Sequence, residues 1–314
     1  RVPVRLDQAI ADYTRAIEMD GVTDRQKADL LCKRGVEYML QAPPDFEIAI
    51  ADFTRVIEME DLSADALCLA QSRRGEAYRT CPDPDFDAAI ADFTAVIDMA
   101  DAPTERVAYT LICRGIAFGQ LDPPELESEI ADYTAAIEMA DVPTGHRVKA
   151  LSNRGYTYAH LDPPDVDRAV ADYTTIVHMQ DAPELQRRIA LSSLGIVYWQ
   201  LDPSDSERKI ATYTALAESA ELPAVLRCQA LLARAWVYAA LDPPDMENQF
   251  ADYATVIEMP DLSDEWKSTA FLRRAWAYRY SDPPEIDNAL ADYAAAIAMS
   301  DGFSAAALSQ RAGT

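Results

Sequence analysis

Glycine is scarce in this chain, with 10 in 314 residues, too few for the turn-rich connections of a β fold. Histidine is scarcer still. His146, His160 and His178 are the only three. None belongs to an HExxH helix or has Cys or His neighbours at metal-ligand spacing, so no metal site is expected. The five cysteines, Cys32, Cys68, Cys81, Cys113 and Cys228, are odd in number and include no CxxC. They read as reduced thiols of a cytoplasmic-type compartment rather than a disulfide framework. No stretch reaches the roughly 18 uninterrupted apolar residues that a membrane-spanning helix needs. Gly-rich phosphate loops, GxSxG elbows and Cys/His nucleophile signatures are all missing. The many Asp/Glu pairs recur periodically, whereas a catalytic pair would occur once. The expectation is a chain that is not an enzyme and needs no cofactor.

Positive charge is also in short supply. Lys and Arg number 28 against 53 Asp and Glu, for a net charge of −25. Nucleic acid and anionic membranes are therefore poor partners, because both call for a basic face. A basic partner fits the sign, although solubility and repulsion between neighbours explain it more plainly.

What the chain does have is a repeat. Ala-Asp-Tyr/Phe-Thr begins at Ala11, Ala51, Ala91, Ala131 and Ala171, and returns in altered form at Ala211, Ala251 and Ala291, each step adding 40 residues. A second landmark, Arg-Gly-x-x-Tyr/Phe, keeps the same period at Arg34, Arg74, Arg114 and Arg154, then changes to Leu194-Gly195, Arg234-Ala235 and Arg274-Ala275. Sustained periods of this size mark solenoids and arrays. Within one unit, Val148, Leu151, Gly155 and Tyr158 share a helix face, and so do Val166, Val170, Tyr173, Ile176 and Val177. Asp122-Pro-Pro-Glu125 and its copies from Asp162, Asp242 and Asp282 predict an Asp cap with proline at the first helical position. The reading is all-α: an α-solenoid of tandem antiparallel helix pairs, superhelical or ring-like, forming a single repeat domain over 1–314 with about eight units.

The pattern A-L-x-x-R-G-x-x-Y followed by A-I-A-D-Y-T-x-A-I-E-M resembles the tetratricopeptide repeat, with its helix A and helix B. Gly35, Gly75, Gly115, Gly155 and Gly195 match the small residue that lets helix B pack close. Tyr38, Tyr78, Phe118, Tyr158, Tyr198, Tyr238 and Tyr278 match the helix A aromatic, and Ala9, Ala49, Ala89, Ala169 and Ala289 the small residue of helix B. The usual repeat has about 34 residues, so the loops here are longer, and Glu129, Lys209 and Gln249 replace the helix B alanine. The resemblance implies a non-catalytic protein-interaction scaffold, with a protein or peptide held in a concave groove lined by helix A.

The repeated Arg falls mid-face on helix A, where an unpaired charge is costly. The Asp of ADYT lies 18 residues later. The expected ion pairs are Arg34–Asp52, Arg74–Asp92, Arg114–Asp132, Arg154–Asp172, Arg234–Asp252 and Arg274–Asp292. The unit with Leu194 in place of Arg also has Thr212 in place of Asp, so the two positions change together. Pairing with the earlier Asp does not co-vary in this way.

Helix A residues opposite the packing side differ between units, as expected of a surface that selects partners. Tyr156, His160, Trp199, Trp236, Trp276, Arg279 and Tyr280 fall in this set, and the three tryptophans are the candidate anchors. The alternative is that these rings fill space between adjacent helices. The chain opens on a helix B without its helix A, and closes at Ser304–Thr314 on a partial helix A. One expectation is a piece of a longer array, or the regulatory region of a larger protein. Another is self-association through the termini: Ala307–Arg311 carries the landmark without its Asp, and Asp12 lacks its Arg, so the ends complete one repeat in a ring or a head-to-tail filament.

Overall fold

The computed structural model describes residues 3–199 and 205–299, with side chains from residue 6 onward and without that of Trp199. The described residues form fifteen α-helices and no strand, an α-solenoid in which consecutive helices pack pairwise. The A helices are α2 (Asp24–Leu40), α4 (Ala64–Thr80), α6 (Thr104–Gly119), α8 (Thr144–Ala159), α10 (Glu184–Trp199), α12 (Ala224–Ala239) and α14 (Asp264–Arg279). The B helices are α1 (Pro3–Ile17), α3 (Phe46–Ile57), α5 (Phe86–Ile97), α7 (Leu126–Glu138), α9 (Val166–His178), α11 (Ser206–Glu218), α13 (Met246–Glu258) and α15 (Ile286–Met299). The chain divides into two compact units, residues 1–165 and 166–314. The landmark at Ala307–Arg311 lies outside the described residues. No described helix is long and apolar enough to cross a membrane.

Helices α2 and α4 are capped by a side chain, whereas Pro103, Pro143, Pro223 and Ser263 precede α6, α8, α12 and α14 without a side-chain cap bond. Thr23 and Gln26 form a reciprocal capping box, and Ser63 accepts from the amide of Ala66. The B helices start later than the sequence suggests. The cap is the acid after the prolines: Asp45, Asp85 and Asp245 accept from the amides of Ile48, Ala88 and Asn248. Asp122, Asp162, Asp242 and Asp282 stand three residues too early. In Asp-Pro-Pro two consecutive residues each precede a proline, and that position disfavours the helical region. The Ala42–Pro43, Asp122–Pro123, Asp162–Pro163, Asp242–Pro243 and Asp282–Pro283 peptides are cis. The cap residue then fixes the turn by donating its amide to the carbonyl of the helix A aromatic, as Asp45 does to Tyr38, Glu125 to Phe118 and Asp245 to Tyr238, at 2.9–3.0 Å.

Helix B lies close against helix A because glycine leaves room for a ring. A Cβ on Gly35, Gly75 or Gly115 would stand 2.8, 2.6 or 2.7 Å from the ring of Phe53, Phe93 or Tyr133. Those three rings are almost wholly buried. Within each unit every A helix also touches the next A helix, along α2–α4–α6–α8 and along α10–α12–α14. No two successive B helices come into comparable contact among the described residues. The A layer is therefore the inner side of each unit.

Candidate functional site

Three helices meet at the repeated arginine. Arg34, Arg74, Arg114, Arg234 and Arg274 each grip Asp52, Asp92, Asp132, Asp252 and Asp292 through two parallel bonds of 2.6–3.0 Å. The aspartates are buried. The bond to Asp raises each arginine above its ordinary pKa, so the guanidinium stays charged. Sequence reasoning missed a third partner. The remaining guanidinium nitrogen of Arg34, Arg74, Arg114, Arg154 and Arg234 donates to Thr14, Thr54, Thr94, Thr134 and Thr214 of the preceding B helix, at 2.7–3.1 Å. That threonine closes the ADYT motif, so the signal was already in the sequence. Arg154 and Asp172 belong to different units.

The repeat that lacks this arginine rearranges. Leu194 is buried, and the hydroxyl of Tyr198 donates to Thr212 at 2.7 Å. Thr174, the counterpart of Thr134, keeps a buried hydroxyl with no hydrogen-bond partner. The arginines thus serve the fold, and wherever the preceding B helix carries the threonine they link a helix pair to the one before it.

The inner layer differs between the units. In the first it mixes apolar positions, Val36, Ile116 and Tyr156, with a polar network around Glu76. Glu76 accepts from Arg73 at 2.6 Å and also from Tyr109 of the next A helix, Arg79 donates to Gln120 at 3.1 Å, and Arg106 meets Asp65 at 3.1 Å. In the second unit the position equivalent to Glu76 is Ile196, Trp236 and Trp276, exposed by 62%, 46% and 53%. Leu185 and Ile189 of α10 are exposed on the helix that carries Ile196. Tyr280 is exposed beside Trp276, with ring centroids 4.7 Å apart, and the Arg279 guanidinium lies 5.5 Å from the Tyr280 ring. Among the other candidates, Tyr156 is exposed in the first unit and stacks on His160 at 3.9 Å. The side chain of Trp199 lies outside the described residues.

Cavities open between neighbouring A helices, floored by the B helix between them. The one between α6 and α8 measures about 420 Å³ and includes Tyr156, His160 and Glu129. Those between α10 and α12 and between α12 and α14 measure about 330 and 350 Å³, and Trp236 and Arg273 line both. Their floors hold Lys209 and Gln249. The three polar replacements of the helix B alanine each therefore stand beneath the inner surface. Glu129 is buried and accepts from Tyr133 and Thr157, both at 3.0 Å. Burial holds its carboxyl above the usual carboxylate range, and the two bonds draw it partly back. A larger hollow of about 550 Å³ lies elsewhere, between the starts of α2 and α4, against Asp29, which is bonded to Lys33.

Four of the five thiols are buried and all five are unpaired. Burial pushes Cys32 and Cys228 up to about 12 and Cys113 to about 11, which leaves them unreactive near neutral pH. No group of three His, Cys, Asp or Glu side chains among the described residues is placed to hold a metal ion. No protein-family profile matches the chain, and no curated protein matches it in sequence.

Proposed function

We propose that this chain is a non-catalytic interaction scaffold of the tetratricopeptide type, which holds a peptide or protein segment along the inner A-helix layer of its second unit. The observation that carries this reading is the half exposure of Trp236 and Trp276 on either side of a cavity they both line. A tryptophan kept in contact with water on a helix face forgoes much of the gain from burial. A docked segment supplies that burial, and Trp is the residue most enriched at interface hot spots. Trp236, Trp276 and Tyr280 are all exposed along the A-helix layer of the second unit, which gives a bound segment a defined stretch to cover.

The test is selection from a library of short random peptides by the wild-type chain and by Trp236→Ala/Trp276→Ala, after circular dichroism has checked that the variant keeps its helicity. The reading expects a peptide class retained by the wild type and lost by the variant. Equal selection by both chains, or none by either, overturns it. Growth in particle size with concentration, unchanged by the variant, favours assembly between copies of the chain instead.

A further inference from the structure

The three polar floor residues differ in how their charge or dipole is met. Glu129 has two donors. Gln249 gives its amide to Tyr253 at 3.4 Å, and its carbonyl oxygen is buried without a partner. Lys209 exposes only 8% of its surface, and among the described residues it makes no hydrogen bond and no ion pair. The residue is mostly shielded, so its ammonium keeps only the water that enters the cavity, and no described acceptor offsets the rest of its lost hydration. Buried polar groups are ordinarily satisfied, so an exception calls for a cause. The aliphatic stem does not supply one, because the same position in other repeats is alanine, fully buried at Ala49, Ala89, Ala169 and Ala289.

The surroundings of Lys209 indicate what completes it. The cavity it floors has apolar and aromatic walls in Tyr198, Tyr213, Leu232 and Trp236. Arg273 of α14 also lines it, is exposed, and makes no ion pair among the described residues. Two uncompensated cations flanking an apolar cleft form a site for an anion on an apolar stem. They do so in a chain whose net charge is −25, so the local sign opposes the sign of the whole. That field penalises a dianion about twice as much as a monoanion, which favours a carboxylate over a phosphate. It also disfavours a segment that is acidic throughout.

We infer that the cavity between α10 and α12 is a carboxylate subsite, and that it takes one Asp or Glu side chain of a peptide that is otherwise neutral or basic. The carboxylate meets Lys209 and Arg273, and the methylene stem lies against Trp236. This assignment rests on the groove reading above and names what the groove selects. Lys209 is then a residue that lowers the stability of the empty protein and gives specificity when a ligand is bound.

The experiment compares the composition of peptides selected from the same library by the wild type, Lys209→Met and Lys209→Glu. The wild type should select peptides with an acidic residue at one fixed position. Lys209→Met should bind them at least about tenfold more weakly, as expected for loss of a charge-assisted bond in a partly enclosed site. Lys209→Glu should shift the preference at that position to Lys or Arg. Without peptide, Lys209→Met should melt at a higher temperature than the wild type, which separates loss of the site from loss of the fold. Sodium acetate, titrated against the best peptide at constant ionic strength, should displace it only at much higher concentration than competing peptide. Peptides selected through Trp236 and Trp276 with no acidic position, or with the same one in Lys209→Met, overturn this inference and leave the groove reading standing. Selection of no peptide at all removes both. Acetate competing as well as peptide would make the ligand a free acid and overturn the peptide assignment. A lower melting temperature for Lys209→Met would make the lysine a packing residue and overturn the subsite.

Discussion

Tyr198 donates its hydroxyl to Thr212 at 2.7 Å, in the one described repeat where the landmark arginine is a leucine. In the other repeats the aromatic at this position lies beside the arginine side chain, as Tyr78 does 6.0 Å from Arg74 and Phe118 does 5.8 Å from Arg114. The tyrosine therefore bonds the residue at the aspartate position of the following B helix, while Thr174 of the preceding B helix keeps a buried hydroxyl without a hydrogen-bond partner. Restoring the ladder should correct both ends. Leu194→Arg alone places a charge in a buried site without its carboxylate, and should cost roughly 3–5 kcal/mol. Adding Thr212→Asp should recover most of that loss, with a favourable coupling of at least about 2 kcal/mol in a double-mutant cycle followed by urea unfolding. Additive single effects would contradict the three-helix junction.

The intact junctions make the converse prediction. Arg114→Ala removes both bonds to the buried Asp132 and the bond to Thr94, and should cost about 3–5 kcal/mol in chemical unfolding. A loss below about 1 kcal/mol is what an exposed pair would give. Arg274 has Ala254 where the others have threonine, so Ala254→Thr should stabilise by about 1 kcal/mol through one added bond.

Glu129 predicts a pH dependence. Its carboxyl is raised in the folded state, so the folded chain holds that proton more tightly than the unfolded one. The contribution to stability is fully present below the ordinary value of 4.5 and is lost as pH rises through the folded value. Glu129→Gln should therefore be more stable than the wild type near neutral pH, with the difference closing at about pH 4. Melting temperatures across that range measure it. A Cβ on Gly119 would stand 2.7 Å from the same carboxylate, so Gly119→Ala should destabilise the wild type more than it destabilises Glu129→Ala.

Thiol labelling tests burial directly. Cys81, half-buried in the loop after α4, should react with a small maleimide before Cys32, Cys68, Cys113 and Cys228. Simultaneous labelling of all five in native buffer would contradict the packing of the helix pairs.

Much of the architecture was legible in the sequence because the repeat copies its own constraints. Glycine before a ring, arginine with aspartate, and aromatic with turn recur often enough that one altered copy, Leu194 with Thr212, exposes the pairing. The B-helix caps were misplaced because Asp-x-x-Glu reads as a cap with its acid, while the two prolines between them delay the helix until the acid itself. Threonine's part in the junction went unseen because a hydroxyl two or three residues before the next large apolar residue looks like an ordinary exposed helix residue. Lys209 was visible only as a departure from alanine. What makes it a candidate is the cavity above it and the lack of a partner among the described residues, and both depend on three helices meeting in space. The aromatic candidates divide for the same reason. Trp236, Trp276 and Tyr280 stay exposed in the second unit; in the first, Tyr156 is exposed but stacks on His160, and Glu76 at the equivalent position is held by Arg73 and Tyr109.

The most direct test of the groove is hydroxyl-radical footprinting of the chain with and without a selected peptide, read by mass spectrometry. The account predicts that oxidation of Trp236, Trp276 and Tyr280 falls severalfold on binding, while Met19, which is 60% exposed just beyond α1, oxidises as before. Unchanged oxidation of the two tryptophans with bound peptide, or protection confined to Met19 and other sites outside the inner layer of the second unit, would place the interaction elsewhere and contradict it.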